Sequence, residues 1–326
     1  MKKFFTTQVL CSIFTLVLIF SLSSLFAQND TMYIWKSGAV INKQSVKTTD
    51  VDSMTFYRPT PYNINIACVN IPAGTFTMGS PVGEPNRIVD EIERQVTLSA
   101  FRMSKYEITN SQYAAFLNAK GIGSDGKYAA GAYPLEPLIY ASTINDWSLH
   151  YTNNQWVPVV GYENYPVFHV TWYGAVEFAT YIGGKLPTDA QWEYACRGNT
   201  NTAFNTGNCL SNTQANYDWA DPQTNCTNNI TTFPAKTKAV GTYAANAFGL
   251  YDMHGNVNEW CSDWLGSTSA SAQTNPTGPT TGTYRVFRGG CWGTPAMICR
   301  SAYRNSSTPY SSNNLYNVGF RIVLVP

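Results

Sequence analysis

Three short helix signals lie in a chain that is otherwise patterned as strands and loops. Two of them are capping boxes, in which a threonine is followed three residues later by glutamine. The third begins at a threonine and ends at a glycine pair. The residues are Thr109 with Gln112, Thr171 with the glycines at 183–184, and Thr188 with Gln191 and the stop at Gly198. Helices this few and this short, in a chain otherwise made of strands and loops, exclude a regular helical bundle and a parallel α/β sheet.

The first 27 residues have the layout of a cleaved secretory signal. Lys2 and Lys3 precede an apolar run at 9–26, and Ala27 stands before polar residues. We therefore predict export to the periplasm, the cell surface or the medium, with no membrane span after cleavage. The alternative is an N-terminal anchor, because the run approaches the ~20 residues that a span needs.

Two further segments follow the signal. Residues 28–61 combine short alternating runs with a proline-containing stretch, which predicts a small strand-rich appendage and a linker. Residues 62–326 form the main domain, and it opens with a strand, a Pro-Ala-Gly turn and a second strand within 66–80.

Composition narrows the choice of partner. The net charge is +1 and no basic cluster occurs, so nucleic acid is not an expected partner. Aromatic residues make up 14% of the chain and charged residues 13%, alongside many Asn, Thr and Ser. A surface of this kind favours a protein, peptide or glycan ligand. The alternative is that most of the tryptophans belong to the core.

One of the eight cysteines, Cys11, lies in the signal, which leaves seven. An oxidising compartment favours pairing. Cys209 and Cys226 bracket a polar loop that has no periodicity of its own, and we predict a disulfide between them. No arrangement resembles a zinc site.

Several sequence motifs in the main domain occur in an order that resembles that of one protein family. They are IPAGTFTMGS, MSKYEITNSQYAAFLN, VTWYGAVEFATYIGGKLPTDAQWEYACRG, AFGLYDMHGNVNEWCSDW, RVFRGG and VGFR. In this order they resemble the sulfatase-modifying-factor family, whose type member is the formylglycine-generating enzyme. The resemblance covers about four fifths of the chain and implies an irregular, C-type-lectin-like α+β domain.

The resemblance also implies calcium sites. Carried over by position, the ligands of one site are Asp252, Gly255, Val257 and Glu259, and a weaker second set begins at Asn216 and Tyr217. Carboxylates on either side of a Gly-Asn turn suit a hard cation. The alternative is that Glu259 forms an ion pair inside a packed loop.

The family's oxidase binds copper through a C-x4-C pair after its glycine pair, and this chain departs from that pattern. Counting from the glycines places the pair on Thr294 and Cys299, whereas counting from the downstream arginines leaves Cys299 unmatched. Two thiolates suit monovalent copper, and one does not make the pair. Copper is therefore not expected, and Cys299 is the one weak catalytic candidate. Bridges from Cys299 to Cys291 or Cys261 remain open.

A related branch of the superfamily uses iron held by several histidines. This chain has only His150, His169 and His254, which are far apart in the sequence. We interpret His254 as a loop hydrogen-bonding residue and His169 as structural.

The segment from 291 to 317 carries the rival hypothesis of a binding module. It resembles the variable region of retroelement-diversified proteins, and an ordinary polar loop is the alternative. The candidate ligand residues are Trp292, Tyr303, Arg304, Tyr310 and Tyr316. Taken together, the sequence predicts an exported, calcium-stabilised ligand-binding or accessory protein. The alternatives are an active formylglycine-generating oxidase, or a related metal-dependent oxidoreductase, and a diversified binding protein.

Overall fold

The computed structural model describes residues 33–36, 39–41, 53–55, 64–140, 147–227, 235–310 and 317–324. The chain divides into one unit at 1–63 and another at 64–326. The predicted signal and most of the linker lie outside the described residues. Among the residues described, no helix combines the length and apolar character needed to cross a membrane.

The first unit contains a three-stranded antiparallel sheet in the order β2-β1-β3. Its strands are β1 (Tyr33–Lys36), β2 (Ala39–Ile41) and β3 (Ser53–Thr55).

Three α-helices lie in the described part of the second unit, each after its predicted cap. They are α1 (Asn110–Ala119), α2 (Trp172–Tyr181) and α3 (Asp189–Arg197). Thr109 and Thr188 form complete capping boxes with Gln112 and Gln191, and Thr171 accepts a hydrogen bond from the backbone N–H of Gly174. The last helix ends at Gly198, whose φ of 52° is left-handed. Local sequence signals alone set these helix positions.

The strands of the second unit form four small sheets, in the orders β13-β12-β10-β14, β11-β6-β5, β15-β7-β4 and β8-β9. The longest strand, β10, lies inside the first of these sheets. Its partners all come from the last 42 residues of the chain. The strands are β4 (Cys68–Ile71), β5 (Gly74–Met78), β6 (Arg94–Leu98), β7 (Phe101–Ser104), β8 (Leu149–Thr152), β9 (Gln155–Pro158), β10 (Asn258–Trp264), β11 (Gln273–Thr274), β12 (Arg285–Arg288), β13 (Asn305–Ser307), β14 (Val318–Gly319) and β15 (Val323–Leu324).

Antiparallel and parallel pairs are mixed in these sheets. β14 runs parallel to β10 and β11 runs parallel to β6, whereas the other paired strands are antiparallel. Short helices, several small sheets and long loops make the α+β class that the sequence predicted.

Two large apolar clusters form the core. One packs α1 and α2 around aromatic rings such as Phe116 and Phe320, and the other packs α3 against β4 to β7. Trp156, Trp192 and Trp260 are fully buried. The indole N–H of Trp260 donates to the carbonyl of Val170 at 2.9 Å, which satisfies its one polar atom. These three tryptophans therefore belong to the core.

Candidate functional site

The loop that leads into β10 makes a tight left-handed turn. Asp252, Gly255 and Asn256 have φ angles of 56°, 78° and 62°. A Cβ at Gly255 would lie 2.2 Å from the carbonyl oxygen of Asn216, so glycine is required where the two backbones approach. Asn216 and Gly255 form a parallel bridge. Residues from the two predicted calcium sets therefore meet at this turn.

Glu259 is fully buried and paired with Arg321. Its Oε1 accepts from Nη2 of Arg321 at 2.7 Å. Its Oε2 accepts from Nε of Arg321 at 2.7 Å and from the indole N–H of Trp192 at 2.6 Å. Two donors occupy Oε2, so the remaining acceptor capacity of this carboxylate is mainly at Oε1.

Two more carboxyl groups lie beside this ion pair. Oδ2 of Asp252 accepts from the Gly241 N–H at 2.6 Å, while Oδ1 is buried and has no hydrogen-bond partner. Glu107 accepts from Nδ2 of Asn256 at 2.8 Å. Three carboxyl groups thus share the neighbourhood of one guanidinium.

Burial and mutual repulsion change how these acids titrate. Burial raises the pKa of Asp252 to about 6, and Glu259 adds to the rise while Arg321 opposes it. Burial, followed by the charges of Asp252 and Glu259, raises the pKa of Glu107 well above its usual range. The site therefore has more potential negative charge than its one arginine neutralises.

Oxygen atoms without partners at this turn are suited to a hard cation. Besides Oδ1 of Asp252, the side-chain oxygen of Asn216 is buried without a hydrogen bond. The Tyr217 hydroxyl donates to the carbonyl of Leu210 at 2.8 Å, so its side chain is directed elsewhere. In the described ranges, no three acidic, His or Cys side chains converge closely enough to hold an ion. An ion at the turn would need amide and carbonyl oxygens as well as carboxylates.

Thr294 and Cys299, the two positions reached by counting from the glycines, face each other. Oγ1 of Thr294 lies 3.7 Å from Sγ of Cys299. The same hydroxyl accepts from the Cys291 N–H at 2.9 Å. Burial raises the pKa of Cys291 to about 11 and raises that of Cys299 further, so both thiols are protonated at neutral pH. The spacing of the family's thiol pair is present here, but a hydroxyl occupies one of its positions.

Cys261, Cys291 and Cys299 are free thiols in the structure, so neither bridge considered for Cys299 is formed. Cys209 and Cys226, in contrast, are joined by the predicted disulfide.

His254 contacts a further buried thiol without activating it. Its Nδ1–H donates to the carbonyl of Cys299 at 2.7 Å, and its Nε2 accepts from the Asn205 N–H at 3.0 Å. Sγ of Cys196 lies 3.8 Å from Nε2. Burial lowers the pKa of His254 to about 4 and raises that of Cys196 to about 12. The pair is neutral on both sides, which fits the hydrogen-bonding role predicted for His254.

Two arginines near the C-terminus, Arg288 and Arg300, form ion pairs with buried acidic side chains. Arg300 bonds Glu91 and Glu84, each at 2.6 Å. Arg288 bonds Glu193 at 3.0 Å and also pairs with Asp189. These contacts connect the 84–91 loop to the segment that follows β12, and they connect α3 to β12 itself.

The five predicted ligand residues fall into different environments. Tyr310 is 52% exposed, and Trp292 and Tyr303 are half-buried. The side chain of Arg304 is only 7% exposed, and its Nε donates to Asp189 at 2.9 Å. Tyr316 lies outside the described residues. Only Tyr310 is both described and openly exposed.

Sequence reasoning missed the acids that complete these networks. Glu107 and Glu91 are each 1% exposed, and Glu193 is fully buried. A signal for Glu107 was available, because a glutamate between Tyr106 and Ile108 implies a charge close to apolar side chains, which requires partners when it is buried. The loop acids at 84–91 gave no such signal.

Comparison with known proteins agrees with the words in the sequence. The model of the sulfatase-modifying factor enzyme 1-like domain matches residues 56–325. A formylglycine-generating enzyme from Thermomonospora curvata is 33% identical over 309 residues, which cover 82% of this chain and 97% of that protein. The serine/threonine-protein kinase pkn1 of Chlamydia caviae is 34% identical over 258 residues, or 78% of this chain. The chain spans only 37% of the length of that kinase.

A solved structure shows the same fold. Treponema denticola variable protein 1 superposes with a TM-score of 0.57 at 23% sequence identity, covering 79% of this chain and 95% of that protein. At this level of identity, the likeness concerns the fold alone.

Proposed function

The chain belongs to the family of sulfatase-modifying factor enzyme 1-like domains, and from that premise we propose that it is an exported, calcium-stabilised ligand-binding or accessory protein rather than a cysteine oxidase. The observation that carries the proposal is the 3.7 Å contact between Oγ1 of Thr294 and Sγ of Cys299. Two positions five residues apart are brought together, and one thiol stands where a soft monovalent metal needs two.

The surrounding chemistry supports the same conclusion. The metal-binding form of cysteine is the thiolate, and burial disfavours it at both Cys291 and Cys299. No cationic side chain donates a hydrogen bond to either sulfur in the described part of the chain. The pKa of each thiol therefore stays raised.

A ligand surface is supported on the segment that follows Cys291. Arg288 and Arg300 are fully committed to buried acids and fix the backbone around them. Tyr310 is exposed on that fixed base, and Trp292 and Tyr303 are half-exposed. Aromatic side chains on a rigid support bind ligands with little loss of conformational entropy.

Calcium has a structural role in this proposal. Asp252, through its unpartnered Oδ1, and Asn216, through its side-chain oxygen, would hold the ion together with the carbonyls of Gly255 and Val257. Glu259 contributes its charge and the free capacity of Oε1 while it remains paired with Arg321. The ion would neutralise the excess carboxylate charge and fix the turn before β10.

Export is supported by the signal-like first 27 residues and by the disulfide between Cys209 and Cys226. Disulfides persist in oxidising compartments.

Glycan and peptide arrays probed with the purified protein test the ligand surface. We expect Tyr310→Ala to lose the signal. Tyr284→Ala is the matched control, because Tyr284 is 48% exposed but precedes β12. Equal loss in both variants, or retention of every signal in Tyr310→Ala, would show that the surface lies elsewhere.

The kinship with formylglycine-generating enzymes favours one other function, the oxidation of a protein cysteine. It requires turnover of a cysteine-containing peptide that depends on copper and on Cys299. Peptide mass spectrometry of the wild type and of Cys299→Ser distinguishes the two functions.

A further inference from the structure

A cleft of about 380 Å³ lies beside the start of α3 and the end of β10. The loop at 266–279 forms one wall and Met78 forms part of the other. Four ionisable side chains line the cleft, namely Arg94, Asp189, Asp263 and Arg304. Neither the calcium turn nor the thiol region contributes to its lining.

Arg94 lies in this cleft without an anionic partner. Its Nε donates to the side-chain oxygen of Gln273 at 3.2 Å, Nη1 donates to the carbonyl of Ile92 at 3.3 Å, and Nη2 lies 3.1 Å from Sδ of Met78. In the part of the chain that the structure describes, no carboxylate forms an ion pair with it. Burial lowers the pKa of Arg94; the charges of Glu193 and Asp189 oppose this fall, and those of Arg304 and Arg288 add to it. A half-buried guanidinium with neutral partners is a ready site for an anion.

Arg304 supplies a second guanidinium whose bonding is incomplete. Its Nε bonds Asp189 at 2.9 Å. The contacts of its Nη1 are long, 3.4 Å to Asp90 and 3.5 Å to the carbonyl of Gly266. Arg304 can therefore bind an anion through its terminal nitrogens while it keeps its bond to Asp189.

Asp263 has one carboxylate oxygen directed at the loop wall. Its Oδ2 accepts from the Asp189 N–H at 3.0 Å and from the Ser262 hydroxyl at 2.9 Å. A Cβ at Gly278, whose φ is +70°, would lie 3.0 Å from Oδ1. The glycine therefore leaves space beside this oxygen that a side chain would occupy.

We propose that the cleft binds the oxyanion group of a small ligand, a carboxylate or a sulfate, between Arg94 and Arg304. Bidentate pairing of guanidinium with an oxyanion supplies strong, directional hydrogen bonds. Trp264 and the prolines of the loop give the rest of such a ligand an apolar wall.

Asp263 makes this binding dependent on pH. Burial and the charge of Asp189 raise its pKa to about 7, and Arg304 opposes the rise. Arg285 and Cys261 also face it electrostatically. Protonated Asp263 donates to the anion, whereas the ionised form repels it. Binding therefore strengthens as pH falls through about 7.

Isothermal titration with sulfate, and separately with acetate, tests the inference at pH 5.5 and pH 8, with chloride holding the ionic strength constant. We expect saturable binding of at least one probe, about tenfold tighter at pH 5.5 because Asp263 is mostly ionised at pH 8. We expect Arg94→Gln to weaken it at least tenfold. Arg102→Gln, which changes an exposed arginine on β7, should bind like the wild type.

Asp263→Asn supplies a second, independent comparison. This variant keeps the shape of the side chain without its ionisation, so its affinity should be the same at both pH values. No saturable binding of either probe, or an unchanged affinity in Arg94→Gln, overturns the inference. The array experiment on Tyr310 remains a separate test, because Tyr310 does not line the cleft, although Arg304 lines it and belongs to the segment of the proposed ligand surface.

Discussion

Removing the guanidinium of Arg321 should destabilise the domain more than removing any exposed arginine. Arg321 is fully buried, holds both oxygens of Glu259 at 2.7 Å and also donates to the carbonyls of Ser104 and Tyr251. Glu107 and Asp252 lie close enough to affect its pKa. In Arg321→Met, Glu259 stays buried without a cationic partner beside two further acids, and it keeps only the hydrogen bond from Trp192.

Breaking a buried ion pair on one side costs about 3–5 kcal/mol. For a domain of this size, about 1 kcal/mol corresponds to a change of roughly 2–4 °C in Tm. The expected fall in Tm is therefore roughly 6–20 °C. Circular dichroism melts at pH 8 with excess chelator measure it, and Arg102→Met is the matched control on the exposed side of β7.

The difference in Tm between the wild type and Arg321→Met should be smaller at acidic pH. A carboxyl group whose pKa is raised in the folded state stabilises the fold below its unfolded pKa, and that contribution is lost as pH rises through the folded value. Arg321 lowers the pKa values of Glu107 and Asp252, so its removal leaves both more strongly raised, and the fall in Tm at pH 5 should be smaller than at pH 8. Adding Glu259→Gln to Arg321→Met should recover part of the loss. A fall below 2 °C at pH 8, or a larger fall at pH 5, would refute the reasoning.

Two further predictions concern the calcium turn and the disulfide. A chelator should lower the Tm of the wild type but not that of Asp252→Ala. The effect should be larger at pH 8 than at pH 5, because Asp252 has a pKa of about 6 without an ion and must ionise to bind one. Calorimetry with and without added calcium measures these Tm values, and equal chelator sensitivity in the two proteins would count against the site. The disulfide between Cys209 and Cys226 closes a loop with a sequence separation of 17, so Cys226→Ser should lower the free energy of unfolding by about 3 kcal/mol. Urea denaturation of the variant measures this loss, and a reductant should destabilise the wild type equally while leaving the variant unchanged. An unchanged denaturation midpoint in the variant would contradict the prediction.

The features that could be predicted from the sequence are those encoded by a few neighbouring residues or by the motifs that the chain shares with its family. Thr188 and Gln191 are three residues apart, so their capping box can be recognised without a fold. Cys209 and Cys226 bracket one loop, and their bridge was predicted from that loop alone. The α+β class followed from the ordered words of the main domain.

The features that escaped prediction depend on contacts between distant parts of the chain. Glu259 and Arg321 are 62 residues apart, and only the parallel pairing of β10 with β14 brings them together. Arg94 and Asp263 share a cleft because β11, which follows β10 in the chain, pairs with β6. Such pairings are set by topology and leave no local pattern.

Anaerobic titration with copper(I) distinguishes a binding protein from a copper-dependent oxidase. The wild type, Cys299→Ser and Thr294→Cys are compared by competition with a chromophoric chelator. We expect the wild type to bind copper no more tightly than Cys299→Ser does. Thr294→Cys places a second thiol opposite Cys299 and should bind one equivalent of copper tightly. Stoichiometric copper binding by the wild type that is lost in Cys299→Ser would contradict the proposed binding function and favour a copper-dependent oxidase.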